Sequence, residues 1–346
     1  MDIQYKVVFL EKLFPLRISR GLRTGADSLF VAVTKDGITG WGEMSPGASE
    51  GAGSVQEGQE ILEAFAKNNL EGLSIHEMYD LGREQNVAPC AYAALDIALW
   101  DWLAKKAGMP LYRMLGLGKT NVPTSVTIGI NPPEVVKERV PLLLDGTGVK
   151  SLKIKLGSPE GIDADKVMFR QVIESTKPYD VKIRVDANGG WSVPDAIHMM
   201  KWLADLGVDY IEQPLVEGAE KDLPYIFKNR PLPIFVDESC RFAHNIPSYA
   251  HCVDGVNLKL MKSGGITEGL RVLATAKAFG LKTMIGCMGE SSISIAAGAA
   301  LTGMIDHIDL DSHLNLKPDP CEGAPIINGV IVPTENPGHG GRFKES

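Results

Sequence analysis

Three carboxylates close three successive predicted β-strands, one carboxylate on each strand. They are Asp186 in VKIRVD, Glu212 in VDYIE and Asp237 in PIFVD. Each acid alone could cap a helix or lie in a loop, which is a common structural role. As a set, carboxylates that converge from neighbouring strand ends bind a hard divalent cation, and an all-oxygen ligand set favours Mg²⁺ over Zn²⁺. The three residues therefore predict a magnesium site.

Lysines lie on predicted strands either side of these acids. Lys153 and Lys155 are two residues apart in SLKIKLG, so their side chains share one face of the strand. Repulsion between the two ammonium groups favours a lowered pKa for one of them, which a general base near neutral pH requires. The alternative is two solvated lysines on an exposed face. The apolar residues that alternate with these lysines indicate an interior strand instead.

The elements that must position these side chains alternate regularly from about residue 122. Eight strand-like runs are separated mostly by helix-length segments, and the runs are 122–129, 151–156, 181–186, 208–212, 233–237, 255–260, 282–287 and 307–311. Alternating strands and helices predict βα units and a parallel sheet. Eight units favour an α/β fold with a (β/α)8-type barrel, a modified TIM barrel. The competing doubly wound sheet is weakened because no Gly-x-Gly-x-x-Gly follows an early strand.

The first 115 residues or so have a different pattern. We expect strands at 3–10 and 28–34, followed by a hairpin at 35–43 and a Gly/Ser/Pro loop at 44–54. Helices are expected at 55–68 and 89–107. The predicted organisation is an N-terminal α+β capping domain at 1–118, a barrel catalytic domain at 119–318 and a C-terminal segment at 319–346. A strand-like stretch in this last segment is expected to return to the capping domain.

A barrel places catalytic groups at the C-terminal ends of its strands, where these acids and lysines lie. Lys259, in VNLKLMKSGG, falls on the predicted sixth strand, which lies opposite the second strand with Lys155. A bound metal stabilises an enolate, so two lysines that face one carbon from both sides can remove a proton and return one. Lys262 is an alternative base, ranked lower because it falls at the loop beside Gly264.

Further acids follow the last two strands. Asp309 and Asp311, in HIDLDS, point to one face of one strand, and two adjacent carboxylates need a cation. A substrate ammonium group would serve, but the pair could equally cap the next turn or pair with a barrel lysine. Glu290, in GCMGESS, could hydrogen-bond a lysine or shape the site, and capping the following helix SSISIAAGAAL explains it equally well.

Composition excludes several classes of function. The chain has 346 residues, of which 44% are hydrophobic and 23% charged, and its net charge is −8. This charge disfavours an extended surface for nucleic acid or for an anionic membrane, and no apolar run approaches the ~20 residues of a membrane span. The five cysteines are scattered without C-x-x-C spacing, and MDIQYKVVFLEK does not read as a signal peptide. We therefore expect reduced thiols and a cytoplasmic location.

Together these motifs resemble the enolase superfamily and, within it, the muconate lactonizing enzyme subgroup. The K-x-K strand, the D/E/D set and the K-x-x-K-x-G-G segment carry the resemblance, which spans nearly the whole chain. It implies that Lys155 and Lys259 are the acid/base pair and that Lys153 tunes Lys155. The acidic set would bind Mg²⁺, which holds the substrate carboxylate. The resemblance also implies a homo-oligomer.

The D-x-D pair at Asp309 and Asp311 narrows the resemblance to dipeptide epimerases. In these enzymes the pair binds the α-ammonium group of the substrate's N-terminal residue. The implied reaction inverts the α-carbon of the C-terminal residue by two-base 1,1-proton transfer through an enolate. In L-Ala-D/L-Glu epimerases, which are associated with murein peptide recycling, a capping-loop arginine can approach the glutamate carboxylate. Arg23 matches that motif and Arg20 lies nearby, but this loop is shorter, and a solvated surface position is the alternative for both.

Other functions stay open at this point. An N-acylamino acid racemase, o-succinylbenzoate synthase or cycloisomerase would share the fold, but its substrate would lack the ammonium group. A catalytically silent metal-binding sensor or scaffold belongs to another class, and it would not need lysines on both sides of a metal. The preferred dipeptide, whether acidic, hydrophobic or cationic, is not fixed by the sequence.

Overall fold

The computed structural model describes residues 1–345, and its N-terminal part combines a three-stranded antiparallel sheet with four helices. The strands are β1 (Asp2–Ile18), β2 (Gly21–Lys35) and β3 (Ile38–Met44). The helices are α1 (Val55–Phe65), α2 (Ile75–Glu84), α3 (Pro89–Lys106) and α4 (Leu111–Met114). The central strand β2 joins β3 through Asp36 and Gly37, which both have positive φ, as in the predicted Asp-Gly hairpin.

Local sequence signals set the helix boundaries in this part. Ser74 and Glu77 form a capping box at the start of α2, and Pro89 occupies the first turn of α3. Helix α3 is almost entirely buried because β3 packs directly against it. A Cβ atom at Gly42 would lie 1.9 Å from the carbonyl oxygen of Ala94, so only glycine permits this approach.

A sheet of eight parallel strands follows, in sequential order around the sheet. The strands are β4 (Val126–Ile128), β5 (Ser151–Lys155), β6 (Lys182–Asp186), β7 (Ile211–Glu212), β8 (Ile234–Val236), β9 (Gly255–Leu258), β10 (Lys282–Ile285) and β11 (His307–Ile308). A parallel bridge between Thr124 and Ile308 joins its first and last strands, and the Ser125 amide donates to the Ile308 carbonyl at 3.0 Å. The predicted barrel with an N-terminal capping domain is therefore confirmed, although most strands are shorter than expected.

Helices pack around the barrel between its strands. They are α5 (Pro133–Leu144), α6 (Ile162–Thr176), α7 (Val193–Ala204), α8 (Leu223–Lys228), α9 (Ile246–Tyr249), α10 (Leu260–Ser263), α11 (Ile266–Ala278) and α12 (Ser292–Ala299). Ser192 and Ser291 cap α7 and α12 by accepting backbone N–H bonds. Within residues 1–345, no helix has both the length and the apolar character needed to cross a membrane.

The chain ends in two short pairs of strands, β12 (Cys321–Glu322) with β15 (Arg342–Phe343), and β13 (Ile326–Ile327) with β14 (Val330–Ile331). This C-terminal segment contacts the N-terminal sheet and α3. The amide of His339 donates to Asp101 Oδ1 at 2.9 Å, and the Phe343 ring centroid lies 4.8 Å from that of Phe30.

Candidate active site

The three predicted metal-binding acids lie together at the C-terminal mouth of the barrel. Asp186 and Glu212 end β6 and β7, and Asp237 directly follows β8. All three are buried, and one carboxylate oxygen from each lies within 4.8 Å of the other two. We call Asp186, Glu212 and Asp237 the acidic triad.

The triad has the chemistry that a hard divalent cation requires. Its donors are all carboxylate oxygens, and one oxygen from each acid lies close enough to the other two to share one ion. Burial and repulsion from Asp186 raise the pKa of Glu212 to about 8, because three adjacent carboxylates cannot all be ionised cheaply. Burial opposes ionisation of Asp237 too, but Lys259 and Lys262 outweigh it and hold the Asp237 pKa well below its usual range. The residues present therefore fit Mg²⁺.

Two buried lysines flank the triad from opposite sides. Lys155 ends β5, the second barrel strand, and its Nζ lies 2.6 Å from Asp186 Oδ2. Lys259 directly follows β9, the sixth barrel strand, and its Nζ lies 2.5 Å from Asp237 Oδ2. The three triad strands lie between the two lysine strands. Each lysine therefore pairs with an outer member of the triad, and the two approach the space above it from opposite walls.

Lys153 lies deeper in the barrel than Lys155 and is 1% exposed. Its Nζ is 2.7 Å from Glu212 Oε2, 2.7 Å from Asp309 Oδ2 and 3.1 Å from Asp186 Oδ2. Burial opposes its charge, but these carboxylates outweigh burial and raise the Lys153 pKa well above its usual value. The sequence argument considered only the neighbouring lysine, whereas the structure adds acids of distant strands that hold Lys153 in its charged form.

Lys262 does not lie in a loop, which corrects the reason for ranking it lower. It belongs to α10, which ends at Gly264 in the left-handed conformation, and it is 1% exposed. Its Nζ lies 2.6 Å from Asp237 Oδ1. Lys259 and Lys262 thus hold the two oxygens of one carboxylate.

Asp309 and Asp311 follow β11 and have different partners. Asp309 Oδ2 pairs with Lys153, and its Oδ1 accepts from Ser125 Oγ at 2.8 Å. Asp311 Oδ2 accepts from the backbone amide of Thr127 at 2.6 Å. Burial and repulsion from Asp309 raise the pKa of Asp311 to about 6, whereas Lys153 overcomes the burial of Asp309 and lowers the Asp309 pKa.

Glu290 is buried and accepts from the backbone amide of Met288 at 2.7 Å. Burial raises its pKa to about 8. Glu290 does not cap α12, so that alternative from the sequence is wrong. Ser291 is the cap residue, and the buried carboxylate of Glu43, from β3, accepts from both the amide and the hydroxyl of Ser291.

A cavity of about 500 Å³ opens above the two lysines, between the barrel mouth and the capping domain. Both predicted arginines line it, but they differ in their contacts. Arg20 donates to Glu238 Oε1 at 2.6 Å and to the Asn188 carbonyl at 3.0 Å, so it ties the β1–β2 hairpin to the barrel. Arg23 is exposed and forms no ion pair within residues 1–345.

Two cavity residues escaped the sequence reasoning. Lys12 reaches the cavity because β1 continues to Ile18, whereas the sequence indicated a strand ending at residue 10. Burial lowers the Lys12 pKa. Cys287 lines the same cavity, and its Sγ lies 3.8 Å from Asp311 Oδ1. Lys12 could have been found from its position between apolar residues in LEKLFPLRI, which suggests a partly buried charge. No sequence feature indicated that Cys287 lines the cavity.

Comparisons with known proteins give the same fold and family along the chain. Residues 3–116 match "Mandelate racemase / muconate lactonizing enzyme, N-terminal domain", and residues 136–346 match "Enolase C-terminal domain-like". A hydrophobic dipeptide epimerase from Flavobacteria bacterium strain MS024-2A is 66% identical, covering 100% of this chain and 99% of the relative. One from Roseobacter litoralis is 60% identical, covering 99% and 98%. The solved structure of a dipeptide epimerase from Enterococcus faecalis V583, complexed with Mg and L-Leu-L-Tyr, has a TM-score of 0.89 and 31% identity, covering 98% of both chains.

Proposed function

The chain belongs to the mandelate racemase / muconate lactonizing enzyme family of the enolase superfamily, and from this premise we propose that it is a Mg²⁺-dependent epimerase of apolar dipeptides. It is an isomerase, like its curated relatives. The observation that carries the proposal is the placement of Lys155 and Lys259, each against an outer member of the acidic triad and on opposite walls of the barrel. A binding protein would not require this pair of opposed bases.

The two lysines perform the proton transfer in this proposal. One lysine removes the α-proton of the dipeptide's C-terminal residue from one face, and the opposed lysine delivers a proton to the other face. Lys153 stays protonated among its three carboxylates and adds positive charge below the reacting carbon. The cavity above the lysines holds the substrate away from bulk water, so the proton moves between fixed groups.

Asp186, Glu212 and Asp237 would hold the Mg²⁺ ion. When bound, the ion supplies positive charge that binds the substrate carboxylate and stabilises the enolate. The deep burial of the triad keeps its oxygens directed towards one point, and Asn257 Nδ2 fixes Glu212 Oε1 at 2.8 Å.

The surroundings of the lysines favour a dipeptide with apolar side chains. Leu16, Ile18, Leu22, Met288 and Leu316 line the cavity and offer apolar contacts. Of the two arginines that line the cavity, Arg20 is already engaged by Glu238, whereas Arg23 has no ion pair among the described residues. The two relatives at 60% identity or more carry the name hydrophobic dipeptide epimerase, which agrees with the apolar residues that line the cavity.

A panel of dipeptides tests the proposal. Purified protein with Mg²⁺ would be incubated in D₂O with separate pools of apolar, acidic and cationic L,L-dipeptides, and mass spectrometry would detect one-dalton gains. We expect labelling that is fastest in the apolar pool and that stops when EDTA is added. Labelling confined to the acidic pool would overturn the apolar preference. No labelling in any pool, with labelling of N-acylamino acids instead, would overturn the dipeptide assignment.

A further inference from the structure

The three acids of the triad are not held in place in the same way. Asp186 and Glu212 are direct partners in the register of β6 and β7, and the Ala187 amide donates to the Glu212 carbonyl at 3.0 Å. Pairing between the strands therefore fixes the spacing of these two acids. Glu212 pairs in register with Phe235 of β8, so Asp237 lies two residues beyond that pairing and after the end of its strand. The position of Asp237 relative to Glu212 depends on a different contact.

The side chain of Gln213 supplies that contact. The Asp237 amide donates to Gln213 Oε1 at 2.7 Å, although the two residues are 24 positions apart. Gln213 Nε2 donates to the Leu215 carbonyl and to Ser239 Oγ, both at 2.8 Å. A backbone amide can only donate and a carbonyl can only accept, so these partners allow one orientation of the Gln213 amide group. Since Gln213 directly follows Glu212, one residue links two acids of the triad.

The backbone of Gln213 has an uncommon conformation. Its φ is +38°, and the residue is 2% exposed. Asparagine and aspartate adopt positive φ most readily after glycine, and they account for the other non-glycine cases within residues 1–345, which are Asp36, Asn86, Asn188 and Asn328. The Gln213 amide donates to the Phe235 carbonyl, and its carbonyl accepts from the Gly189 amide, both at 2.8 Å. A strained residue that is held on all sides in this way is typical of a functional site.

The spacing of the acids matters because the ions that carboxylates bind differ in size. Mg²⁺ requires oxygen ligands at about 2.0–2.1 Å in near-ideal octahedral geometry, whereas Ca²⁺ accepts flexible geometry at about 2.3–2.6 Å. Carboxylate ligands suit both ions, so the donor type alone does not separate them. A site whose acids are held at a fixed spacing can favour the smaller ion, and a loosened site can expand around the larger one.

We infer that Gln213 is a positioning residue that sets the spacing between Glu212 and Asp237 and thereby makes the acidic triad select Mg²⁺ over Ca²⁺. This inference rests on the Mg²⁺ site of the proposed function and adds a determinant of its ion preference. Gln213 supplies no ligand in this role, because its amide group is engaged by Asp237, Leu215 and Ser239. It acts on the ion through the backbones of the two acids.

Isothermal titration calorimetry with Mg²⁺ and with Ca²⁺ on the chelator-treated protein tests the inference. The selectivity is the dissociation constant for Ca²⁺ divided by that for Mg²⁺. Gln213→Met removes the hydrogen bonds and keeps a side chain of similar size. We expect the dissociation constant for Mg²⁺ to rise by about tenfold or more, as for other outer partners of metal ligands, and that for Ca²⁺ by about threefold or less. Gln171→Met on α6 is the matched control and should retain both affinities.

The selectivity distinguishes positioning from a general loss of structure. An equal loss of affinity for both ions in Gln213→Met, or an unchanged selectivity, would overturn the inference. Ser239→Ala removes one partner of Gln213 Nε2 and leaves the contact between Gln213 Oε1 and the Asp237 amide, so it should retain the selectivity. Selectivity lost in Ser239→Ala as fully as in Gln213→Met would contradict a role through the Asp237 amide.

A second variant covers the case in which Gln213→Met does not fold. Asparagine tolerates positive φ, and its side chain is one methylene shorter, so Gln213→Asn should lose the contact with Asp237 and show the same fall in selectivity. Failure of both variants to fold with either ion would assign Gln213 to the fold and overturn the inference. Wild-type protein that binds Mg²⁺ without preferring it to Ca²⁺ would refute the inference alone. Wild-type protein that binds neither ion would refute the Mg²⁺ site of the proposed function.

Discussion

Lys155 Nζ lies 2.6 Å from Asp186 Oδ2, so one side of the acidic triad directly contacts a lysine at the barrel mouth. The opposite side has the same arrangement between Lys259 and Asp237. The proposed bases and the proposed metal site therefore share carboxylates.

Replacement of either lysine should separate proton exchange from epimerisation. In Lys155→Ala or Lys259→Ala, we expect epimerisation to fall by roughly 10²–10⁴-fold, because a positioned base is removed. The remaining lysine still faces one side of the α-carbon, so each variant should exchange the α-proton of only one epimer with D₂O. NMR on the separate epimers measures this exchange. Lys150→Ala, at an exposed position just before β5, is the matched control, and exchange of both epimers by either single variant would contradict the opposed placement.

Removal of one charge from the triad should weaken Mg²⁺ binding. We expect Glu212→Gln to raise the dissociation constant for Mg²⁺ by at least about tenfold, since even outer partners of metal ligands cost this much. Isothermal titration calorimetry on the chelator-treated protein measures the affinity. Asp163→Asn, whose side chain is 97% exposed, is the control and should bind Mg²⁺ like the wild type. Equal affinities in Glu212→Gln and the control would place the metal elsewhere.

The two capping-loop arginines should differ in their effect on substrate binding. Arg20 joins the β1–β2 hairpin to Glu238 and to the Asn188 carbonyl, whereas Arg23 has no ion pair in the described chain. We expect Arg20→Gln to raise KM for apolar dipeptides by about two- to fivefold, the scale of a partly exposed ion pair, and Arg23→Gln to change it less. Steady-state kinetics on both variants test this. The reverse order would mean that Arg23 contacts the substrate.

The buried Asp96 should make stability depend on pH. Burial raises its pKa to about 7, against the hydrogen bonds from Thr267 that lower it, whereas an unfolded aspartate has a pKa of about 3.9. Between these values the folded protein retains a proton that the unfolded chain releases. The free energy of unfolding should therefore fall as the pH rises from about 4 to about 7.

Urea unfolding at pH 5 and pH 8 measures this dependence. Asp96→Asn resembles the protonated acid in shape and cannot ionise, so we expect a smaller difference between the two pH values than in the wild type. Thr267 still donates its amide to the side chain at position 96 in either protein. An unchanged difference in Asp96→Asn would assign the pH dependence to other groups.

Much of the barrel mouth could be predicted from local sequence. The acids of the triad each end a short apolar strand, and the spacing of those strands already indicates neighbouring βα units. The lysine pair of β5 and the K-x-x-K segment after β9 can also be recognised, because they lie in or directly after short strand-like runs. These positions could be predicted because each strand end is marked by residues that are adjacent in the sequence, and the strands lie in the sheet in chain order.

The contacts between distant strands were not predictable in this way. Lys153 and Asp309 are 156 residues apart and meet only because β11 closes the barrel beside β4. This contact contributes to the raised pKa of Lys153, and it gives Asp309 a partner that Asp311 does not share. The tether of Arg20 to Glu238 likewise depends on how the capping domain lies over the barrel, which no local pattern specifies.

Isotope analysis of the first turnovers tests the central claim most directly. The wild-type protein with Mg²⁺ would act on an unlabelled L,L-dipeptide in D₂O, and each epimer would be isolated at low conversion. Two opposed lysines predict that the product epimer carries one deuterium, at the α-carbon of the C-terminal residue, while the recovered substrate stays largely unlabelled. A product that retains the original proton, or a label at the N-terminal residue, would contradict two-base transfer at Lys155 and Lys259.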